Sequence, residues 1–528
     1  MLSGQYLTDN PVVVRDANVE RHILRLQAAF PIARLHRRAL RLLGSDFIYA
    51  VPDTGLADSW IAMLRFGGLI ERTFGITREV VVYYSPHKDL QQRTLARLSA
   101  AQFQVPRPGT PDLYLLSAPD LRTAEKLDDW TRSEPYVAVA VPQAGDDDEV
   151  ASALLDGIIA RLTTRDRYDE TLPVIGSDFF GRHALIMTLT DELSAGNVCG
   201  VFGLRKTGKT SLVKELGRRF VRADARRRVF VLRDLETLSS SIAEQEHSLV
   251  DDLRVSLLQE LRDRKLRTHE LVELSDRASI AEFRRTLHTV LGHLRRAEAQ
   301  LVLALDEIES LIGTAEVIRS DFRPEIPEFL GAMRSLVQEN PNFNVMLAGL
   351  TSAVLENGQL YGRENPLFSW AKTFYLPPLN RIEADNLTTK LGQRMAVRWD
   401  SAALDALFAQ SGGHVFLHRT LASKIVARLP RDPAARLVGP QNVLATTKSW
   451  RRSVAVRVRE MIDATARYYP DECELLAVLA ADMSEAEEFE LTYPAAIEHL
   501  LQLGLLVEED GNLRLGQLAQ LHYSWSYR

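Results

Sequence analysis

Residues 203–210, Gly203-Leu-Arg-Lys-Thr-Gly-Lys-Thr210, satisfy the pattern G-x-x-x-x-G-K-[ST]. The chemistry this spacing suits is phosphate binding. Gly203 and Gly208 let the backbone wrap so that successive N–H groups, from Thr207 to Ser211, point inward at phosphate oxygens. A helix starting at Lys209 adds the positive end of its dipole. Lys209 is expected to reach the β- and γ-phosphates, and the Thr210 hydroxyl to sit on Mg²⁺. The bland alternative is a glycine-rich turn before a helix that starts with lysine. The pattern lies between an apolar run, Val198 to Phe202, and a helical segment, which is where the phosphate reading requires it.

A second group follows a hundred residues later, in Leu301-Val-Leu-Ala-Leu-Asp306-Glu307. A buried strand would deliver Asp306 to its C-terminal edge, where it can hold Mg²⁺ through water. Glu307 can then polarise an attacking water as general base. Alternatively the acidic pair caps the next helix. A run at Arg228 to Leu232 intervenes in sequence and suggests an extra strand between loop and carboxylates in the sheet. That is the additional-strand arrangement rather than that of kinases and GTPases. Arg319, Arg323, Arg334 and Arg363 follow at distances open to an arginine finger, Arg363 foremost, although exposed surface arginines are the commoner case. Asp234 could line the site or cap a turn.

The elements that must position these groups form an α/β chain. An N-terminal α/β domain, residues 1–165, shows helices at Val19 to Phe30, Pro31 to Leu43 and Asp58 to Phe74. Three runs follow, Glu79 to Tyr84, Asp112 to Leu116 and Tyr136 to Val141, separated by helical segments, in a parallel β-α-β-α-β rhythm. His87, Lys88 and Asp89 lie at the ligand-binding end of such a sheet, but a polar connector explains them as well. After a polar connector, residues 174–380 read as a P-loop NTPase core with a parallel sheet. Residues 381–440 read as a helical lid, wholly helical in pattern from Arg381 to Leu429. Residues 441–528 read as a basic linker helix and helices with a hairpin turning at Asp510-Gly511, the pattern of a winged helix.

With these parts in place, the sequence from about Ile175 onward resembles the STAND branch of AAA+-related P-loop ATPases, close to archaeal-type ATPases and the replication-origin initiator ATPases. The segments carrying the resemblance are Phe180-Gly-Arg182, Gly203 to Ser211, Leu301 to Glu307, Leu347 to Ser352, Asn365-Pro-Leu-Phe368, Leu376-Pro-Pro-Leu379 and Ser411-Gly-Gly-His414. The resemblance implies that the box ending in Arg182 precedes the nucleotide site and contacts its adenine side, that Thr351 or Ser352 occupies a sensor position for the γ-phosphate or the water, and that His414 belongs to a lid motif reading ATP or ADP. Val415 stands where many members have proline, and His414 where initiators carry arginine.

Charge sets limits on partners. The 528 residues carry 64 basic and 70 acidic side chains, a net −6, so no global field favours a nucleic-acid backbone. Residues 466–528 hold twelve acidic against three basic residues, and the expected recognition helix, Tyr493 to Leu503, has Glu498 but no Lys or Arg. A duplex would be repelled by that module. Lys448, Arg451, Arg452, Arg457 and Arg459 form a basic stripe, read as an internal partner of the acidic module or as a nucleic-acid groove. A basic run from Lys214 to Arg228 suits the negative end of the helix after the loop.

Only Cys199 and Cys473 are present, which excludes a disulfide framework and fits a reducing compartment. The opening Met1 to Tyr6 lacks a signal-peptide pattern, and no apolar run nears the roughly 18 residues a membrane span needs. The expectation is a cytoplasmic ATP-binding and slowly hydrolysing signalling switch that opens with nucleotide state. It would bind a protein partner or copies of itself. A DNA-binding ATPase like the initiators, or a non-hydrolysing scaffold, are the alternatives.

Overall fold

Val80–Tyr84 and Leu113–Ser117 are buried at every position, as strands covered by helices on both faces must be. The computed structural model describes residues 17–526 other than 57, 106–109, 111, 133, 170–171 and 238–241. The opening segment and positions 170–171 of the connector therefore lie outside the described residues. Two compact units result, Met1–Asp169 with Thr388–Leu404 and Ala422–Val443, and Glu170–Leu387 with Asp405–Leu421 and Leu444–Arg528. The segment 381–440, expected as one lid, is divided between them. It is also not wholly helical, because Arg398–Trp399 pairs in parallel with Leu437–Val438.

In the first unit a five-stranded sheet runs Asp46–Pro52, Trp60–Arg65, Val80–Tyr84, Leu113–Ser117, Val137–Ala140. The first two pairings are antiparallel and the last two parallel. The expected helix over 58–74 is thus corrected: only Gly68–Phe74 is helical. A short apolar run satisfies helical and strand spacing alike. Here ladders on both sides of Trp60–Arg65, with Ile61 to Leu64 buried, decide for the strand. The acidic turn starts the helix Asp147–Thr164 through a capping box of Asp146 and Glu149. Asp89 pairs with Lys126 at 2.6 Å, so part of the polar loop after Tyr84 is accounted for by structure.

In the second unit five strands are all parallel, in the order Lys372–Tyr375, Cys199–Phe202, Phe343–Gly349, Gln300–Asp306, Arg228–Asp234. One strand does separate the loop strand from the carboxylate strand. It is Phe343–Gly349, and the Arg228–Asp234 strand lies on the outer edge, because order along the chain does not set order across a sheet. Alternation splits the carboxylate strand between two cores. Leu301, Leu303 and Leu305 pack with the helices Ile280–Arg296 and Glu325–Glu339, whereas Val302 and Ala304 pack with Leu212, Leu216 and Phe220 of the loop helix, Lys209–Ala223. Each buried Leu contributes about 1.5–3 kcal/mol relative to exposure.

Helices Pro440–Tyr468, Pro470–Ala481, Ala486–Thr492 and Pro494–Gln502 precede the hairpin Leu506–Glu509/Asn512–Leu515. Asp510 and Gly511 both have positive φ, 54° and 75°, as a two-residue hairpin turn of this hand requires. Among the described residues no helix is long and apolar enough to cross a membrane.

The loop helix is tied to the segment before the sheet by Glu215, whose carboxylate accepts from Gly176 N–H at 2.8 Å, Arg218 at 2.7 Å and Arg219 at 2.7 Å. Burial alone would raise this carboxyl, but the arginines and the Gly176 N–H outweigh it and hold it at about 2. A depressed carboxylate stabilises the fold above its unfolded value of 4.5 and loses that contribution as pH falls towards about 2. Urea midpoints measured from pH 5 to 2 should show a decline in wild type that is shallower in Glu215→Gln.

Candidate nucleotide site

The loop that follows Cys199–Phe202 turns through two left-handed residues, Lys206 (φ 64°) and Gly208 (φ 94°). The second is where glycine is needed, since an added Cβ would also lie 3.1 Å from Arg182 Nη1. Lys209, 5 % exposed, donates from Nζ to Gly203 O at 2.9 Å and Leu204 O at 3.0 Å. Thr207 braces the loop by donating to Leu204 O at 2.8 Å. Ser211 is turned elsewhere: its hydroxyl accepts the Val174 N–H at 3.1 Å.

Across the inserted strand, Thr210 Oγ1 donates to Asp306 Oδ2 at 2.7 Å, and Glu307 N–H donates to Oδ1 at 3.0 Å. Asp306 is buried, and burial pushes its carboxyl above the ordinary value although the Thr210 hydroxyl opposes this. Glu307 is left-handed (φ 54°). Its carboxyl is raised by burial and by the neighbouring Glu309 carboxylate, against the pull of Lys209 and Arg205. Lys209, Thr210, Asp306 and Glu307 therefore meet at the C-terminal ends of two strands. Thr351 follows the inserted strand, is buried, and accepts the Ala353 N–H at 3.2 Å.

Arg182 and His414 are brought together as well. Arg182 donates from its backbone N to Glu383 at 2.5 Å and from Nη2 to Pro377 O at 3.1 Å, while its Nε has no partner. His414 is 4 % exposed and neither ring nitrogen has a partner. Burial, then the Arg182 charge, lowers its pKa to about 4. Its position depends on Gly413 (φ 72°), where a Cβ would fall 2.0 Å from Leu379 O.

Three groups escape the sequence motifs. Glu309, 2 % exposed, accepts the Leu350 N–H at 2.9 Å and lies where a Cβ on Gly349 would sit, 2.2 Å away. Tyr469, at the start of the C-terminal module, places its hydroxyl 3.0 Å from Ser352 Oγ and accepts the Ser352 N–H at 3.0 Å. His499 stands between Glu472 at 2.9 Å and Glu356 at 3.5 Å, with its ring 5.6 Å from that of Tyr469. No spacing in the sequence marks these residues, because each acts across a long chain separation.

The arginine candidates disperse. Arg323 lies over the Tyr361 ring at 5.6 Å and near Glu325 at 3.5 Å. Arg334 donates to Pro366 O at 2.5 Å and lies over Trp370. Arg363 is exposed on the short pair Gln359–Leu360/Arg363–Glu364, and Arg319 belongs to the helix Ala315–Ser320. Asp234 accepts the Glu236 N–H at 2.9 Å, as a turn cap does. In the basic run, Arg218 and Arg219 hold Glu215, Arg227 pairs with Glu298 at 2.6 Å and Arg228 covers Phe220. Cys199 is a buried filler whose thiol is pushed up to about 12.

A glycine loop between strand and helix, an inserted parallel strand and a carboxylate at the next strand's end define a P-loop NTPase fold of the additional-strand type. No family model matches the sequence, and no curated protein matches it. Among solved structures, a Walker-type ATPase of Pyrococcus abyssi is similar at 16 % identity and TM-score 0.48, over 68 % of this chain and 99 % of that one. The ORC2 protein of Aeropyrum pernix, solved as ADPNP-ADP complexes, is similar at 14 % identity and TM-score 0.44, over 69 % and 97 %. RuvB of Thermotoga maritima follows at 15 % and 0.33, over 66 % and 95 %.

His499 supplies a pH test of the contact between the C-terminal module and the sheet. Its bonds to Glu356 and Glu472 raise it to about 9. The contribution is complete below its ordinary value of 6.5 and is lost as pH rises through about 9. Melting temperature should fall between pH 7 and 9.5 in wild type and less steeply in His499→Gln.

Proposed function

We propose that this chain binds and slowly hydrolyses ATP, and that the bound nucleotide sets the docking of its C-terminal module. The observation that carries the reading is the Thr210–Asp306 hydrogen bond beside buried Lys209 and Glu307. The residues also fit a nucleotide: Arg182 Nε and both His414 ring nitrogens are buried without partners near the loop, and polar atoms left so cost about 1–3 kcal/mol each. Phosphate oxygens would accept from Arg182 Nε–H and from the single N–H of a neutral His414, and the other ring nitrogen needs a donor.

Thr210 and Asp306 would hold Mg²⁺, which when bound neutralises charge on the phosphate oxygens. Lys209 would exchange two backbone carbonyls for charged phosphate acceptors, a stronger bond. Glu307, its proton affinity raised by burial and Glu309, would take the proton of the attacking water. Thr351 would sense the γ-phosphate. Thr207, Gly203, Gly208 and the backbone of Ser211 would line the phosphates, with Arg182 and His414 closing the site.

Read as a winged helix, the C-terminal module touches this machinery through Tyr469, whose hydroxyl bonds Ser352 next to Thr351. A shift of Thr351 towards or away from a phosphate would weaken that bond and release the module, in the manner of STAND switches. A ligand moves such an equilibrium only by its differential affinity for the two arrangements. A protein partner or another copy would take the released surface, in bacterial signalling or defence. The acidic module disfavours DNA, and the two free buried cysteines suit a cytoplasmic setting. An initiator-like role on DNA remains the second reading, favoured by the fold alone.

Calorimetry with nucleotide-free protein and a phosphate-release assay test this. Lys209→Ala should lose ATP binding. Glu307→Gln should keep it while turnover falls about 10²-fold or more, the usual worth of a general base. Equal turnover in Glu307→Gln and wild type would contradict the assignment.

A further inference from the structure

The helix Pro440–Tyr468 and the module after it carry two exposed surfaces of opposite character. Leu444, Lys448, Arg452 and Val456 recur every four residues and are exposed, so they form one stripe about 18 Å long. Leu444 and Val456, 65 % and 67 % exposed, bracket the two cations. Among the described residues no ion pair joins Lys448 or Arg452 to the acidic module, while their neighbour Arg451 donates to Gln410 and Arg457 pairs with Glu460 of the same helix.

The module offers the complement. Helices Pro470–Ala481, Ala486–Thr492 and Pro494–Gln502 enclose a groove of about 370 Å³, lined by Leu475, Val478, Phe489 and Tyr493 and bordered by Asp471 and Glu474. Val478 and Tyr493 remain 41 % and 52 % exposed, and nearby Leu491 is 86 % exposed. Glu487, Glu488 and Glu490 on the middle helix add negative charge. Apolar surface rimmed by one sign of charge is the character of a binding site.

We propose that the groove of one copy receives the Leu444–Val456 stripe of a second copy. Leu444 and Val456 supply apolar anchors, and Lys448 and Arg452 face Asp471 and Glu474. Both surfaces belong to one chain, so their concentrations always match. The contact joins unlike faces, and each added copy leaves one stripe and one groove free, so assembly runs head to tail into a ring or filament. The inference rests on the self-association part of the proposed function and on none of the nucleotide-site residues. Opposite charges at the contact make it strengthen as salt falls.

Sedimentation velocity of the full chain, at low and high salt and with MgATP or ADP, tests this. Wild type should form species larger than a dimer at low salt and dissociate at high salt. Arg452→Glu and Glu474→Lys should each weaken assembly at least tenfold with melting temperature retained. The double variant, with the charges exchanged, should regain it. Wild type that stays monomeric in every condition, or single variants that assemble as wild type does, would overturn the proposal. So would duplex DNA binding that is lost in Arg452→Glu without self-assembly, since the stripe would then serve nucleic acid. ATP uptake by the same samples separates the two claims: salt-sensitive assembly in a chain that takes up no ATP defeats the nucleotide reading alone.

Discussion

The 2.7 Å hydrogen bond from Thr210 to Asp306 joins residues 96 positions apart and places the loop helix against the carboxylate strand. Most of the second unit's architecture can be understood as what makes that bond possible. The inserted strand Phe343–Gly349 sets the spacing between the two strand ends, and alternation on Gln300–Asp306 fills the cores on both faces. A carboxylate this buried is costly unless it is hydrogen-bonded. Thr210 and the Glu307 N–H supply that compensation at one edge of the sheet, where both are available to a ligand as well.

Around this bond lies a shell of buried polar groups that serve two ends at once. Glu309 fills the space that Gly349 leaves and raises the proton affinity of Glu307. Tyr469 satisfies the Ser352 backbone and brings the C-terminal module to the neighbour of Thr351. Arg182 and His414 instead keep unpartnered nitrogens under cover. In the switch proposed above, this shell would carry the presence of a phosphate to the module, since in a low dielectric buried polar groups polarise one another and leaving one unpaired is costly.

How much of this was legible in the sequence follows from the range of each interaction. The loop and the carboxylate strand are local patterns with a mechanism attached, and Lys209, Thr210, Asp306 and Glu307 converge as their spacing implies. The strands of both sheets were readable wherever an apolar run was bounded by turns, and the hairpin at Asp510-Gly511 stands where its turn residues put it. Trp60–Arg65 was misread because its five apolar residues, Trp60 to Leu64, fit either period, and only its ladder partners decide. The identity of the inserted strand, the roles of Glu309, Tyr469 and His499, and the turning away of Ser211 depend on contacts across 37 or more residues in most cases, which periodicity does not encode.

The central claim is that a magnesium-bound triphosphate is held between the Gly203 loop and Asp306. Titration of nucleotide-free protein with ATP, with and without Mg²⁺, in wild type and Asp306→Asn addresses it most directly. The account predicts uptake of one ATP per chain, tightened by Mg²⁺ in wild type and insensitive to Mg²⁺ in Asp306→Asn. No uptake by wild type, or the same Mg²⁺ response in both proteins, would contradict it.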